Sequence, residues 1–253
     1  MSELIDLLGA SLTALSGDDL AYPARLAISH RDGIFTLNDA DLPSDIEVVM
    51  LGLVKQRIFW RDNKVVCRSH DANTGHADAR TFPWSEQEVF HAPADIPPAP
   101  KRSFFGTSEP VEKVTVELPC ERCAFKSWHR DSLGRQAPAP CQMQFTVPTL
   151  VFDPFVERFI ASTVSFSKSA MNPAKEYIKL YQVASQPLYS KFTKIRLKKN
   201  LGKGEYVYSV PEFRSGIEIP KEMYLGLSLV FREMRGTLLQ PPPPRRTLGG
   251  FFS

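Results

Sequence analysis

The chain has 253 residues, of which 43% are hydrophobic, 23% charged and 11% aromatic, enough apolar material for one large or two modest cores, which excludes wholesale disorder. A net charge of +3 names no polyanionic partner, but its distribution is uneven: residues 1–50 hold nine acids against Arg25 and Arg31, a net of −7, and residues 187–253 hold twelve bases against five acids, a net of +7. No apolar run approaches the roughly 20 residues that cross a bilayer, and Met1-Ser2-Glu3 has no basic lead ahead of an apolar stretch. The expectation is a protein with no membrane association, in the cytoplasm (of the host, if viral), whose four cysteines are thiols or metal ligands rather than disulfides.

Leu4, Ile5, Leu7, Leu8, Leu12 and Leu15 recur at helical spacing up to Gly17, which predicts an N-terminal helix within residues 1–20. Arg31-Asp32-Gly33 between two apolar runs predicts a hairpin of 26–30 with 34–37. Residues 45–60 read as one long strand and Val65-Val66-Cys67 as the next. From about 71 to 112 the pattern breaks into a proline-rich loop, in keeping with 21 prolines, about 8% against roughly 5% in average usage. Strands are expected again at 114–118, 143–152 and 157–166. A helix from Asn172-Pro173 to about Ala184 follows, then a strand pair at 189–199 and 204–211 and a last helix over about 220–235. Pro241 to Pro244 and the residues to Ser253 form a flexible tail. The organisation read from this is a β domain over 21–211 with an insertion at about 113–142, a C-terminal helical segment over 212–238 and a tail over 239–253.

The cysteines are Cys67, the pair Cys120-x-x-Cys123, and Cys141. Two thiolates on a tight turn face one ion at about 2.3 Å, and two distant cysteines complete a closed four-thiolate shell, which suits structural Zn2+. The alternative of buried apolar cysteines is weaker, since three of the four sit in loop-like sequence. Pro119-Cys120-Glu121-Arg122-Cys123 matches half of the nucleobase-deaminase signature. The other half, H-x-E, is absent, His76-Ala77-Asp78 being the nearest string, and four cysteines would fill the position that a catalytic zinc keeps open. His30, His70, His76, His91 and His129 show no ligand spacing among themselves, His70 and His129 being the only replacement ligands near the cysteines. With no P-loop, G-x-G-x-x-G, G-x-S-x-G or H-E-x-x-H, the expectation is a binding protein and not an enzyme.

Six bases and no acid occupy residues 189–204. Strand alternation puts Phe192, Lys194, Arg196 and Lys198 on one face, with Lys191 at its start, and lets Tyr206 and Tyr208 join them from the returning strand. Cations for phosphates beside rings for unstacked bases are what a single-stranded nucleic acid requires; a solvated edge hairpin is the plainer alternative. Secondary candidates are Arg57 and Trp60 on the long strand, and Arg122, Lys126, Trp128 and Arg130 near the cysteines.

The order of elements resembles an OB-like barrel with an inserted four-cysteine zinc module and flanking helices, a mainly β (α+β) fold, similar in outline to the zinc-bearing DNA-binding domain of replication protein A. Val66-Cys67-Arg68-Ser69-His70-Asp71, Pro119-Cys120-Glu121-Arg122-Cys123, Trp128 and Pro140-Cys141 also resemble bacteriophage zinc-containing proteins of single-stranded DNA binding and replication. The resemblance covers about residues 45–210 and implies zinc at the four cysteines and a groove for single-stranded DNA, in replication or recombination. An adaptor that binds a replication or recombination protein is the other reading, and a zinc-dependent nucleotide enzyme a third. The tail departs from the resemblance: it is basic and then ends Phe251-Phe252-Ser253, so that Phe251 and Phe252 become candidates for self-association or for a replication partner.

Overall fold

In the computed structural model, described for residues 2–62, 64–86, 114–127, 129–130, 134–201 and 207–240, the elements run α1 (Ser2–Ala14), α2 (Gly17–Ala21), β1 (Ala24–Ser29), β2 (Ile34–Leu37), β3 (Ala40–Leu42), β4 (Asp45–Met50), β5 (Val54–Arg61), β6 (Lys64–Ser69), β7 (Thr74–Asp78), β8 (Thr115–Pro119), β9 (His129–Arg130), β10 (Gln136–Ala137), β11 (Cys141–Asp153), β12 (Arg158–Phe166), α3 (Met171–Val183), β13 (Lys191–Leu201), β14 (Val207–Glu218) and α4 (Tyr224–Leu239). The fold is mainly β: a 12-stranded mixed sheet with helices on its faces, and β9–β10 as a separate pair. None of the helices is long and apolar enough to cross a membrane, among the described residues.

The thirteen-residue β11 is the strand on which the sheet turns. Along one edge it pairs β12 from Phe145 to Asp153. Along the other it pairs β5 from Cys141 to Thr146 and then β4 from Thr149 to Val151. One arm continues through β6, β7 and β8; another through β4 to β13 and β14; and β12 leads, by a parallel pairing, to β1 and then β2 and β3.

Alternation along these strands loads both faces. Val48, Met50, Val147, Val151, Val164, Ile195 and Leu197 pack with Tyr177, Ile178 and Tyr181 of α3 on one side. Val49, Leu51, Leu150, Phe159, Ala161 and Phe192 pack with Leu8 of α1 and Leu227, Val230 and Met234 of α4 on the other. Ser11, a polar residue on the buried stripe of α1, donates to the Leu7 carbonyl at 2.7 Å and accepts from the Phe159 amide at 2.9 Å, pinning the helix to β12.

Among the described residues the sheet does not close into a barrel by ladder pairing. Instead it curls until β14 meets the β1–β2 turn: the Ser209 amide donates to the His30 carbonyl at 2.7 Å, and the Ser209 carbonyl accepts from His30 Nδ1 at 2.6 Å. The Asp-Gly turn expected between β1 and β2 is present, with Gly33 at φ +71°, where an added Cβ would also lie 2.8 Å from Ser209 Oγ.

Several boundaries differ from expectation. The N-terminal helix ends at Ala14, because Ser16 and Asp19 form a capping box that starts a second helix. The long strand of 45–60 is two strands, broken at Leu51-Gly52-Leu53 where the chain passes from the β4 half of β11 to the β5 half. Residues 74–78, expected in a loop, form β7 after a turn in which Asp71 accepts from the Asn73 and Thr74 amides. The last strand runs to Glu218 through Pro211, which is tolerated because, among the described residues, β13 is the one ladder partner of β14 and no strand lies against its outer side at Pro211. Helix α4 starts at Tyr224 and reaches Leu239.

Gly52 lets α4 approach, since a Cβ there would lie 2.3 Å from the Phe231 ring. Gly52→Ala should therefore lower unfolding stability by about 2 kcal/mol through overpacking, and chemical denaturation is the check. Gly236→Ala, whose new Cβ meets nothing, is the matched control and should be neutral or stabilising.

Candidate functional site

The β5–β8 arm and the start of β11 bring the four cysteines together. Cys141, Phe59, Cys67 and Ala77 lie in one row across β11, β5, β6 and β7. Cys120 and Cys123 arrive on a 3-10 turn directly after β8, held where the Cys120 amide donates to the Asn73 carbonyl at 2.7 Å. All four thiols are unbridged, Cys120 and Cys141 buried and Cys67 and Cys123 half-buried. They line one space of about 10 Å³, the size of a single water or ion, together with Arg57, Phe59, Gly75, Phe82, Leu118 and Lys126.

Gly75 keeps that space open. A Cβ there would lie 2.8 Å from Cys67 Sγ and 3.5 Å from Cys120 Sγ. Beneath the thiols, Phe59 stacks on Phe125 at 4.5 Å and meets Phe82 edge-on at 6.4 Å, giving the arm an apolar cluster of its own. As placed, no group of three or more His, Cys, Asp or Glu side chains among the described residues has metal-holding spacing.

Burial pushes the Cys67 thiol up to about 12, the other three cysteines adding to the rise. Cys141 is pushed up to about 11 by burial, against the pull of the Arg57 guanidinium beside it, and Cys123 is raised by burial too. Arg57, expected on the nucleic-acid face, thus belongs to the cysteine space. Lys126 belongs there as well, its Nζ donating to the Glu121 carbonyl. Arg122 is exposed on the cysteine turn, and Trp60 is 52% exposed in a cross-strand pair with Val65 at the end of β5. Trp128 lies outside the described residues, as do Tyr206, Phe251 and Phe252; Arg130 is placed in β9 by its backbone.

On the hairpin, Phe192 departs from its expected role. It shares the even-numbered face with the cations but is fully buried, 5.8 Å from Phe159, because the α1 and α4 layer covers that end of the strand. Lys191 pairs with Glu218 at 3.1 Å and Lys194 with Glu47 at 2.9 Å, the latter contact raising the Lys194 pKa. Arg196, Lys198 and Lys199 are exposed further along, lining with Arg214 and Glu212 a shallow concavity of about 490 Å³. Beside it, sharing Lys198 and Glu212, is a groove of about 510 Å³ between α3 and β14, lined by Leu180, Tyr177, Val210, Pro211 and Phe213. Tyr208 stands opposite Asn200 near the same end. Alternation along β13 makes the cations legible; Arg214 and the α3 groove were not, since they depend on how far β14 extends and on where α3 packs.

Comparison with family models, with curated proteins and with solved structures finds no match to this chain.

A buried thiol whose value is raised stabilises the fold below the ordinary 9.0 and loses that contribution as pH rises through about 11 to 12. In chelator-treated folded protein at neutral pH, alkylation of Cys67 and Cys141 should be at least about tenfold slower than in the denatured chain, because so little thiolate is present. Mass spectrometry of the labelled peptides reads this, and equal rates would contradict it.

Proposed function

We propose that the chain is a non-enzymatic protein that binds single-stranded DNA on the β13–β14 hairpin and is stabilised by a structural zinc ion, in the setting of DNA replication or recombination. The observation that carries the reading is the pair of adjoining concavities that share Lys198 and Glu212: one lined by Arg196, Lys198, Lys199 and Arg214, the last paired with Glu212 at 3.2 Å, the other by Tyr177, Leu180, Val210, Pro211 and Phe213 with Glu176 and Asn200 at its rim. Phosphates are attracted to the first, and an unstacked base finds apolar cover in the second. Duplex DNA offers no such splayed base. The curl that brings Ser209 to His30 supports an OB-like reading of this part of the sheet.

Zinc fits the residues that would hold it. Cys67, Cys120, Cys123 and Cys141 share one ion-sized space, the missing side chain at Gly75 leaves room for two of the sulfurs, and Arg57 stands by to offset the negative charge of thiolates. Such an ion would supply a closed four-sulfur anchor with no position open to substrate, which is why the reading is structural. The chain's own part is to present the thiols from two strands, β6 and β11, and the turn after β8, and to exclude water from them with Phe59, Phe82 and Phe125.

Elemental analysis of purified protein should find about one zinc per chain. Gly75→Ala, which removes no thiol, should weaken zinc binding by at least about tenfold in a competition with a chelating dye, because its Cβ intrudes on Cys67 Sγ. For the hairpin, changing Arg196, Lys198 and Lys199 together to Ala should weaken binding of a single-stranded oligonucleotide across sequences. The salt slope should become shallower by roughly 0.7 for each phosphate that the protein no longer neutralises. Lys194→Ala should matter less, since Glu47 already pairs that charge. An unchanged dissociation constant in the triple variant would move the binding face off the hairpin.

A further inference from the structure

We propose that the groove between α3 and β14 selects bases that carry an exocyclic amino group, cytosine and adenine, over thymine or uracil. This rests on the reading of the hairpin as a single-strand site and names what that site prefers. The apolar lining of the groove, with Tyr177, Leu180, Pro211 and Phe213, would cover any ring and discriminates none. Three polar side chains stand on the same groove of about 510 Å³: Glu176 of α3, Asn200 of β13 and Glu212 of β14.

A carboxylate beside a track for phosphates is unfavourable toward a polyanion, because like charges repel. It becomes favourable where it meets a donor. The Glu176 side chain is exposed and makes no hydrogen bond or ion pair to a described residue. Glu212 is half-buried and accepts from Arg214 Nη2 through Oε1 at 3.2 Å, which leaves Oε2 for a further donor. Asn200 is half-buried too, its side-chain amide bonded to no described residue. The groove thus offers two acceptor-only carboxylates and one amide that both donates and accepts. Cytosine and adenine present an amino donor next to a ring-nitrogen acceptor on the edge that pairs in a duplex, whereas thymine and uracil present the O4 acceptor next to an N3–H donor. A carboxylate accepts from the amino group while the Asn200 amide donates to the ring nitrogen. Against thymine or uracil the same carboxylate meets O4, and neither atom has a proton to give. That edge is free only in an unpaired base.

The test is equilibrium binding of the purified full chain to oligo-dC and oligo-dU of one length, at mildly alkaline pH and several salt concentrations. The two bases differ only at the 4-position and in the N3 proton that goes with it, so ring size and sugar drop out of the comparison. Oligo-dC should bind at least about tenfold more tightly, the effect of one well-made base contact, with one salt slope for both. Glu176→Gln, whose amide offers a donor as well as an acceptor, should close most of that gap, mainly by tightening oligo-dU. Asn200→Ala should narrow it from the other side, by weakening oligo-dC. Glu176 is exposed on a helix in which Gln is an equally good former, so the Gln variant keeps the fold. Equal binding of the two oligonucleotides by wild type, or a gap that E176Q leaves unchanged, overturns the proposal and leaves the hairpin reading in place. A gap that comes with different salt slopes assigns the selection to phosphate contacts and overturns it too. Binding of neither oligonucleotide removes the hairpin reading, and the base preference with it.

Discussion

The structure depends on a single strand that serves two pairings. The first half of β11 belongs to the cysteine arm and its second half to the core, so the position of Cys141 is set by the same backbone that buries Val147, Leu150 and Val151. Among the described residues, no other ladder joins β5 to β8 to the rest of the sheet. The arm's own apolar cluster is small, built around Phe59, Phe82 and Phe125. A cluster of that size is poorly suited to hold four strands and two 3-10 turns alone, which is why the convergence of four thiols beside it carries weight.

A second tie runs over the opposite face. Helix α4 crosses Gly52 and ends where the Leu238 carbonyl accepts from Gln56 Nε2 at 3.3 Å and from His70 Nδ1 at 3.2 Å. One of the last carbonyls of the helix, which has no partner inside it, is thereby satisfied by the arm. The helix layer, the core and the cysteine arm are thus joined around the start of β5, while the β13–β14 hairpin lies elsewhere on the sheet, its Lys198 lining the groove against α3.

Much of this was legible in local sequence. The Asp-Gly turn, the helical spacing before Gly17 and after Pro173, and the C-x-x-C pair are signals that act within a few residues. What was not legible depends on distant contacts. Leu51-Gly52-Leu53 reads as more strand because the apolar run is unbroken; only the Phe231 ring against Gly52 shows why the chain changes partners there. Thr74-Gly75-His76-Ala77 has weak strand propensity, Gly75 being present for the sulfurs and not for the ladder. Alternation assigned Phe192 to the correct face but could not show that α1 and α4 cover it. Arg57 looked like one more surface base until register put it two residues from Phe59 on the thiol side.

Whether the four cysteines act together as one metal centre is read directly by X-ray absorption at the zinc edge of the purified protein, which reports the ligand set. A four-cysteine centre gives a single shell of four sulfur neighbours at about 2.3 Å with no nitrogen or oxygen ligand, and that is the expected spectrum. A shell of mixed sulfur with nitrogen or oxygen, or protein that binds no zinc while its four thiols remain reduced, would rule such a centre out.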